Sequence, residues 1–133
     1  MSTPKQVIII RKDLNMRRGK QISQGAHASM KVLLDNADEI HTDENCGWMI
    51  RCKQGDPLQE WLDGKFTKIC VSVNSEQELL DVYQKAKDAG ILCSLIQDSG
   101  ATEFNGVPTH TVVAIGPDYP ENINPITGHL PLL

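Results

Sequence analysis

The sequence predicts an α/β fold in which helices cover a mixed, mostly parallel sheet of about four strands. Three observations carry that reading. Short strand-like runs at Val7 to Ile10, Phe66 to Val73, Cys93 to Gln97 and His110 to Ile115 are interleaved with segments of helical period. The first run, Val7-Ile8-Ile9-Ile10, is unbroken and bounded by charge, as suits a strand buried on both faces. A right-handed crossover through the following helix makes the first strand parallel to the second. At 133 residues, with no linker, repeat or low-complexity tract, the chain reads as a single domain over 1–133. That length lets it bury roughly two-thirds of its unfolded surface.

After the first strand, Lys12 to Gly19 reads as a loop. From Lys20 to Leu34, Ile22, Ala26, Met30 and Leu33 recur at spacings of four, four and three, which predicts the core-facing side of a helix. At about 100° per residue, Lys20, Gln24, His27 and Lys31 form a polar stripe on the opposite side. Asn36 to Gln54 is acid-rich without a clear period and reads as a loop or irregular insertion. Asp56 before Pro57 marks the start of a short helix through Trp61 and Leu62, stopped by Gly64. Phe66 to Val73 alternates Ile69, Val71 and Val73 with Lys68, Cys70 and Ser72, a strand pattern. Ser75 and Glu78 form a capping box for a helix carrying Leu79, Leu80, Val82, Tyr83 and Ala86 to a stop at Gly90. The polar loop Asp98 to Pro108 separates the last two strands. The tail from Pro117 holds four of the seven prolines, so little regular structure is expected there.

Composition narrows the function classes. With 40% hydrophobic, 23% charged and 5% aromatic residues, disordered, collagen-like and coiled-coil classes are excluded. No apolar run approaches the roughly 20 residues of a membrane helix. No membrane partner is expected, and without a signal-like opening the expected location is cytoplasmic. The four cysteines lack C-x-x-C spacing; they are expected to be reduced, with Cys70 and Cys93 in the core. The net charge of -4 hides a polarity. Residues 1–31 hold seven bases and one acid, and the remainder six bases and 16 acids. One end therefore suits an anion.

Two constellations could carry chemistry. Lys12, Lys20, Gln24 and His27 surround a strand-to-helix junction at Gly19-Lys20, where free backbone N–H groups and the helix dipole favour a phosphate or oxyanion. The same spacing is also that of an ordinary solvated helix face. Asp98-Ser99-Gly100-Ala101-Thr102-Glu103 directly follows a hydrophobic strand. It reads either as a side-chain-capped turn or as a carboxylate at a strand end, able to orient a histidine or lysine from the facing helix. Ligands of such sheets gather beyond the carboxyl ends of strands, which puts both constellations at one end. The serines lack a nucleophile-elbow context, and His41, His110 and His129 lack metal-ligand spacing, so neither metal nor cofactor is expected.

Arg11-Lys12-Asp13-Leu14, Met16, Gly19-Lys20, Gln24 and His27-Ala28 together resemble the opening signature of the type 2 peptidyl-tRNA hydrolases. Asp98 to Glu103 resembles that family's D-x-G-x-T motif, and Ala114-Ile115-Gly116-Pro117 and Thr127-Gly128-His129-Leu130 its closing segments. The likeness covers nearly the whole chain in order. It implies a three-layer α/β/α enzyme that cleaves the ester between peptide and tRNA without metal or organic cofactor, often as a homodimer. Carried over, the catalytic positions are Lys20, His27, Asp98 and Thr102, with Gln24 as a neighbour. His27 and Asp98 are expected to position or activate water as one unit, Thr102 to donate a hydrogen bond, and Lys20 to stabilise the oxyanion or hold a phosphate. Lys12, Arg17, Arg18, Gln24 and Lys31 are the candidate substrate contacts, and the acidic stretch Asp35 to Glu44 is expected to lie away from substrate. Ala101 stands where many members of that family carry a basic residue. Two other readings fit the residues: a non-catalytic RNA- or partner-binding protein on the same fold, and a hydrolase of a small aminoacyl or peptidyl ester.

Overall fold

The computed structural model describes residues 2–133. The unbroken apolar run falls in strand β1 (Lys5–Arg11), which lies between two neighbours. Val7 and Ile9 face one layer of core, Ile8 and Ile10 the other, so every position in the run is buried. A single 3-10 turn (Lys12–Leu14) leads into α1 (Arg18–Asp35). Then follow β2 (Ala37–His41), β3 (Cys46–Ile50), α2 (Pro57–Asp63), β4 (Lys68–Val73), α3 (Glu76–Asp88), β5 (Cys93–Asp98), β6 (Thr109–Asp118) and α4 (Pro120–Thr127).

The main sheet has the order β4-β1-β6-β5. β1 and β4 are parallel, as the crossover predicts, with Ile9 opposite Val71. β6 runs antiparallel to both β1 and β5. Three of the four strands thus point one way, yet only one of the three pairings is parallel, because β6 inserts between β1 and β5. α3 and α4 cover one face around Leu79, Val82, Ile123 and Ile126, and α1 covers the other around Ala28 and Val32. The three layers are those expected.

Both helix starts read from the sequence are present. The Asp56 carboxylate accepts from the Gln59 N–H at 2.8 Å, and the Ser75 hydroxyl accepts from the Glu78 N–H at 3.1 Å.

Several expectations are corrected. The buried side of α1 is Gln24, Gly25, Ala28 and Val32, whereas Ile22 and Met30 are 67% and 58% exposed. Gly25 and Ala28 have little hydropathy but let the helix sit close on Ile8, and the polar atoms of Gln24 are satisfied inside. Asn36 to Gln54 is not irregular: β2 and β3 pair as an antiparallel hairpin with Glu39 opposite Trp48. Its acids fall on β2 and in the turn, at Asp38, Glu39, Asp43 and Glu44, whereas β3 carries no charge, and neither strand shows a clean alternation. Cys70 is exposed, since α1 leaves the edge strand β4 uncovered on that side, and Cys93 is only partly buried. The proline-rich tail forms α4, with Pro120 in its first turn, where a missing N–H costs nothing.

Candidate active site

β1, β4 and β5 all end at one edge of the sheet, and there the two sequence constellations meet. Lys20 lies in the first turn of α1, which starts at Arg18 because Arg17 is still extended. Asp98 is the last residue of β5. The Lys20 ammonium donates to Asp98 Oδ1 at 2.8 Å and to Thr102 Oγ1 at 2.8 Å. It also lies 5.8 Å from the centre of the Phe104 ring. The Lys20 and Asp98 side chains are only 13% and 11% exposed, so this ion pair is shielded in a way surface pairs are not.

The loop after β5 is folded for this purpose. Gly100 has φ of +84°, and a Cβ there would lie 2.4 Å from the carbonyl oxygen of Val107, so glycine is required. With that turn in place the Gly100 N–H donates to Asp98 Oδ2 at 2.8 Å. The side-chain-capped turn and the site are therefore one feature. The Lys20 hydrogen bond, helped by the Gly100 N–H and the nearby charges of Lys20 and His27, outweighs desolvation and holds the Asp98 carboxyl below its ordinary pKa.

Gln24, expected among the substrate contacts, is buried. Its Nε2 donates to Asp98 Oδ1 at 3.3 Å, and its Oε1 accepts from the Thr111 hydroxyl at 2.5 Å. His27 lies on the same flank of α1, exposed, but it is Lys20 and not His27 that contacts Asp98. Of the two partners the sequence left open for this carboxylate, the lysine occupies the position.

The remaining basic residues divide. Lys12, Arg17 and Arg18 are exposed around the helix start, with the Arg17 side chain 90% exposed and its Nε 3.9 Å from Glu103. Lys31 pairs with Asp35 at 3.0 Å. Eleven residues beyond Lys20, it lies about 16 Å further along the helix and is not part of the cluster. Sequence reasoning missed Thr111, a polar residue at the start of an apolar run, and Arg11. The Arg11 guanidinium bridges Asp13, through two nitrogens at 3.2 and 2.7 Å, to the His110 carbonyl at 3.1 Å. It thereby ties the ends of β1 and β6 together beside the site.

A shielded lysine and carboxylate, a hydroxyl within reach and an exposed basic rim thus lie together at one end of the sheet. The chain belongs to the peptidyl-tRNA hydrolase family PTH2, whose pattern it matches over residues 4–133. It is 42% identical over 129 residues to the peptidyl-tRNA hydrolase of Methanocaldococcus jannaschii, covering 97% of this chain and 99% of that protein. A peptidyl-tRNA hydrolase from Methanothermobacter thermautotrophicus is 41% identical over 130 residues, with 97% and 99% covered.

Proposed function

We infer that this chain hydrolyses the ester between peptide and tRNA in peptidyl-tRNA, returning free tRNA to translation. Family membership and full-length similarity to proteins named for that activity support the reaction class. The observation that carries its assignment to this site is the Lys20 ammonium bridging Asp98 and Thr102.

Each side chain has a role that follows from its contacts. Water attacks the ester carbonyl carbon, and the carbonyl oxygen takes up negative charge. The Lys20 ammonium, held in place by Asp98, stabilises that oxyanion. Thr102 Oγ1 already accepts from Lys20, so its own O–H is free to donate to the substrate or the attacking water. With its pKa lowered, Asp98 is a poor proton acceptor and serves to fix Lys20 and orient water. His27 is the proton acceptor, on the same flank with its ring open to solvent. The proton it takes from water returns to the ribose oxygen as the ester C–O bond breaks, leaving a free tRNA 3′ end and a peptide carboxylic acid, which loses water's second proton to solvent as it becomes the carboxylate.

Metal independence is part of this reading. Both Asp98 oxygens are already engaged by N–H donors, which leaves them poorly placed as ligands. Lys12, Arg17 and Arg18 hold phosphates near the acceptor end. A substrate made in translation fits the expected cytoplasmic location. A homodimer is supported by the flank of α1 opposite the site. There, Ile22, Met30, Phe66 and Leu133 are exposed along hollows of about 360 and 240 Å³ between α1 and β4. A second copy seated on this apolar strip leaves Asp98 open to substrate.

The test is peptide release from N-blocked aminoacyl-tRNA in the presence of a chelator, with His27→Ala beside the unmodified protein. Undiminished release in chelator, reduced a hundredfold or more by His27→Ala, supports the scheme. Release that stops in chelator and returns with added metal refutes metal independence, and a fully active His27→Ala removes His27 from the reaction.

A further inference from the structure

Thr111 lies near the start of β6, completely buried, and it touches no part of the open site. Its hydroxyl points at Gln24 from beneath the helix. A carboxamide has two unlike ends: the oxygen only accepts and the nitrogen only donates. With the Thr111 O–H directed at Oε1, the Nε2 end faces Asp98 Oδ1, the oxygen that also receives the Lys20 ammonium. Turned over, the same amide would set its oxygen against the carboxylate. Asp98, which only accepts, selects this orientation of Gln24, and the Thr111 hydroxyl holds it by donating to the oxygen at the other end.

We propose that Thr111 is a positioning residue for the hydrolytic reaction, acting through the orientation of Gln24 on the Asp98 carboxylate. This rests on the reading of Asp98 and Lys20 as reacting groups. Replacing the hydroxyl by a methyl group leaves Oε1 without a donor in a site closed to water, since Gln24 is only 2% exposed. Turning over would only set Oε1 against the carboxylate, so the amide relieves that defect by withdrawing, and that movement takes the Nε2–H off Asp98. The carboxylate then retains Lys20 and the Gly100 N–H but loses the contact that fixes its plane from the helix side. The Lys20 ammonium shifts with it. A hydroxyl that never meets substrate thus governs turnover and leaves substrate binding alone.

The experiment compares Thr111→Val, which keeps the shape, with Thr111→Ser, which keeps the hydroxyl. Steady-state kcat and KM for peptide release are read beside the carbon-13 NMR titration of the Asp98 carboxyl in the substrate-free protein. Thr111→Val is expected to lower kcat by about tenfold, the effect of one hydrogen bond in a shielded site, with KM within about twofold. The Asp98 titration should move to higher pH. Thr111→Ser should restore both. A wild-type kcat and titration in Thr111→Val overturns the proposal. So does a Thr111→Ser protein as impaired as Thr111→Val with an unmoved titration, because lost packing is then the cause. Thr111→Ala, read the same way, replaces Thr111→Val if the latter does not fold. Asp98→Asn separates the two levels: an active Asp98→Asn refutes the reading of the site, whereas an inactive one beside a fully active Thr111→Val refutes the proposal alone.

Discussion

Lys20 and Asp98 are 78 positions apart in the chain and 2.8 Å apart in the fold, each nearly closed off from solvent by the other's surroundings. The pair exists because β1 and β5 point the same way although they are not neighbours. The turn leaving β1 and the turn leaving β5 therefore open on one side. Removing either partner strands the other's charge in a shielded position. Lys20→Ala and Asp98→Ala should each lower kcat by a hundredfold or more, and the double variant should cost little beyond the worse single one. Independent, multiplying losses in the double-variant cycle would show that the two do not act together.

The Asp98 pKa sets a stability signature as well. The carboxyl titrates lower in the folded protein than its ordinary value of 3.8, so its contribution is complete above that value. The contribution fades as pH falls through the lowered native value. The stability gap between the protein and Asp98→Asn, measured by urea unfolding, should be constant near neutrality and shrink on acidification below about pH 4. A gap that widens on acidification would reverse the sign of the shift.

Gly100→Ala tests the turn beneath the carboxylate. The added methyl group meets backbone at 2.4 Å and the residue is held at φ of +84°. About 1–3 kcal/mol of destabilisation is expected from the backbone conformation alone, along with a lower kcat as the Gly100 N–H leaves Asp98. Thermal unfolding and turnover measured together check this, since a variant of unchanged kcat and melting temperature would mean the loop adapts freely.

Charge reversal at Arg17 and Arg18 should raise KM for peptidyl-tRNA and flatten its dependence on salt, with less effect on kcat. The Arg17 contact with Glu103 is long and exposed, so it withholds little of that charge. Lys31→Gln, already paired with Asp35 and remote from the helix start, should leave KM unchanged. A salt titration of tRNA affinity distinguishes the two, and equal effects at both ends of α1 would place the docking surface along the whole helix.

Replacing the hairpin β2–β3 by a short Gly-containing turn should leave kcat and KM within about twofold, because it follows the far end of α1 and its acids repel phosphate. Loss of activity in a protein that still melts cooperatively would bring the hairpin into the substrate path.

Much of the fold is legible where one local rule dominates. The run at Val7 to Ile10 reads as central because both faces are apolar, and the caps at Asp56 and Ser75 read correctly because capping is decided within four residues. Thr102 was singled out by the family resemblance, whereas that Lys20 and Asp98 could meet was legible from their places at a helix start and a strand end. The buried side of α1 was not. Its hydropathy pattern favours Ile22 and Met30, but close approach to Ile8 favours Gly25 and Ala28, and the buried Gln24 depends on Thr111, 87 residues away. No periodicity encodes that pairing. The hairpin was hidden by the acids of β2 and its turn, and α4 by its prolines, of which Pro120 suits a first turn while Pro125 lies inside the helix.

The most direct measurement is single-turnover release of peptide from N-blocked aminoacyl-tRNA by the unmodified protein and by Lys20→Met, with tRNA binding measured in parallel. Prompt release by the protein, slowed a hundredfold or more in Lys20→Met while tRNA affinity changes by less than about tenfold, is the result expected of an oxyanion-stabilising lysine. Release by Lys20→Met at the unmodified rate, or no release by the unmodified protein, would contradict it.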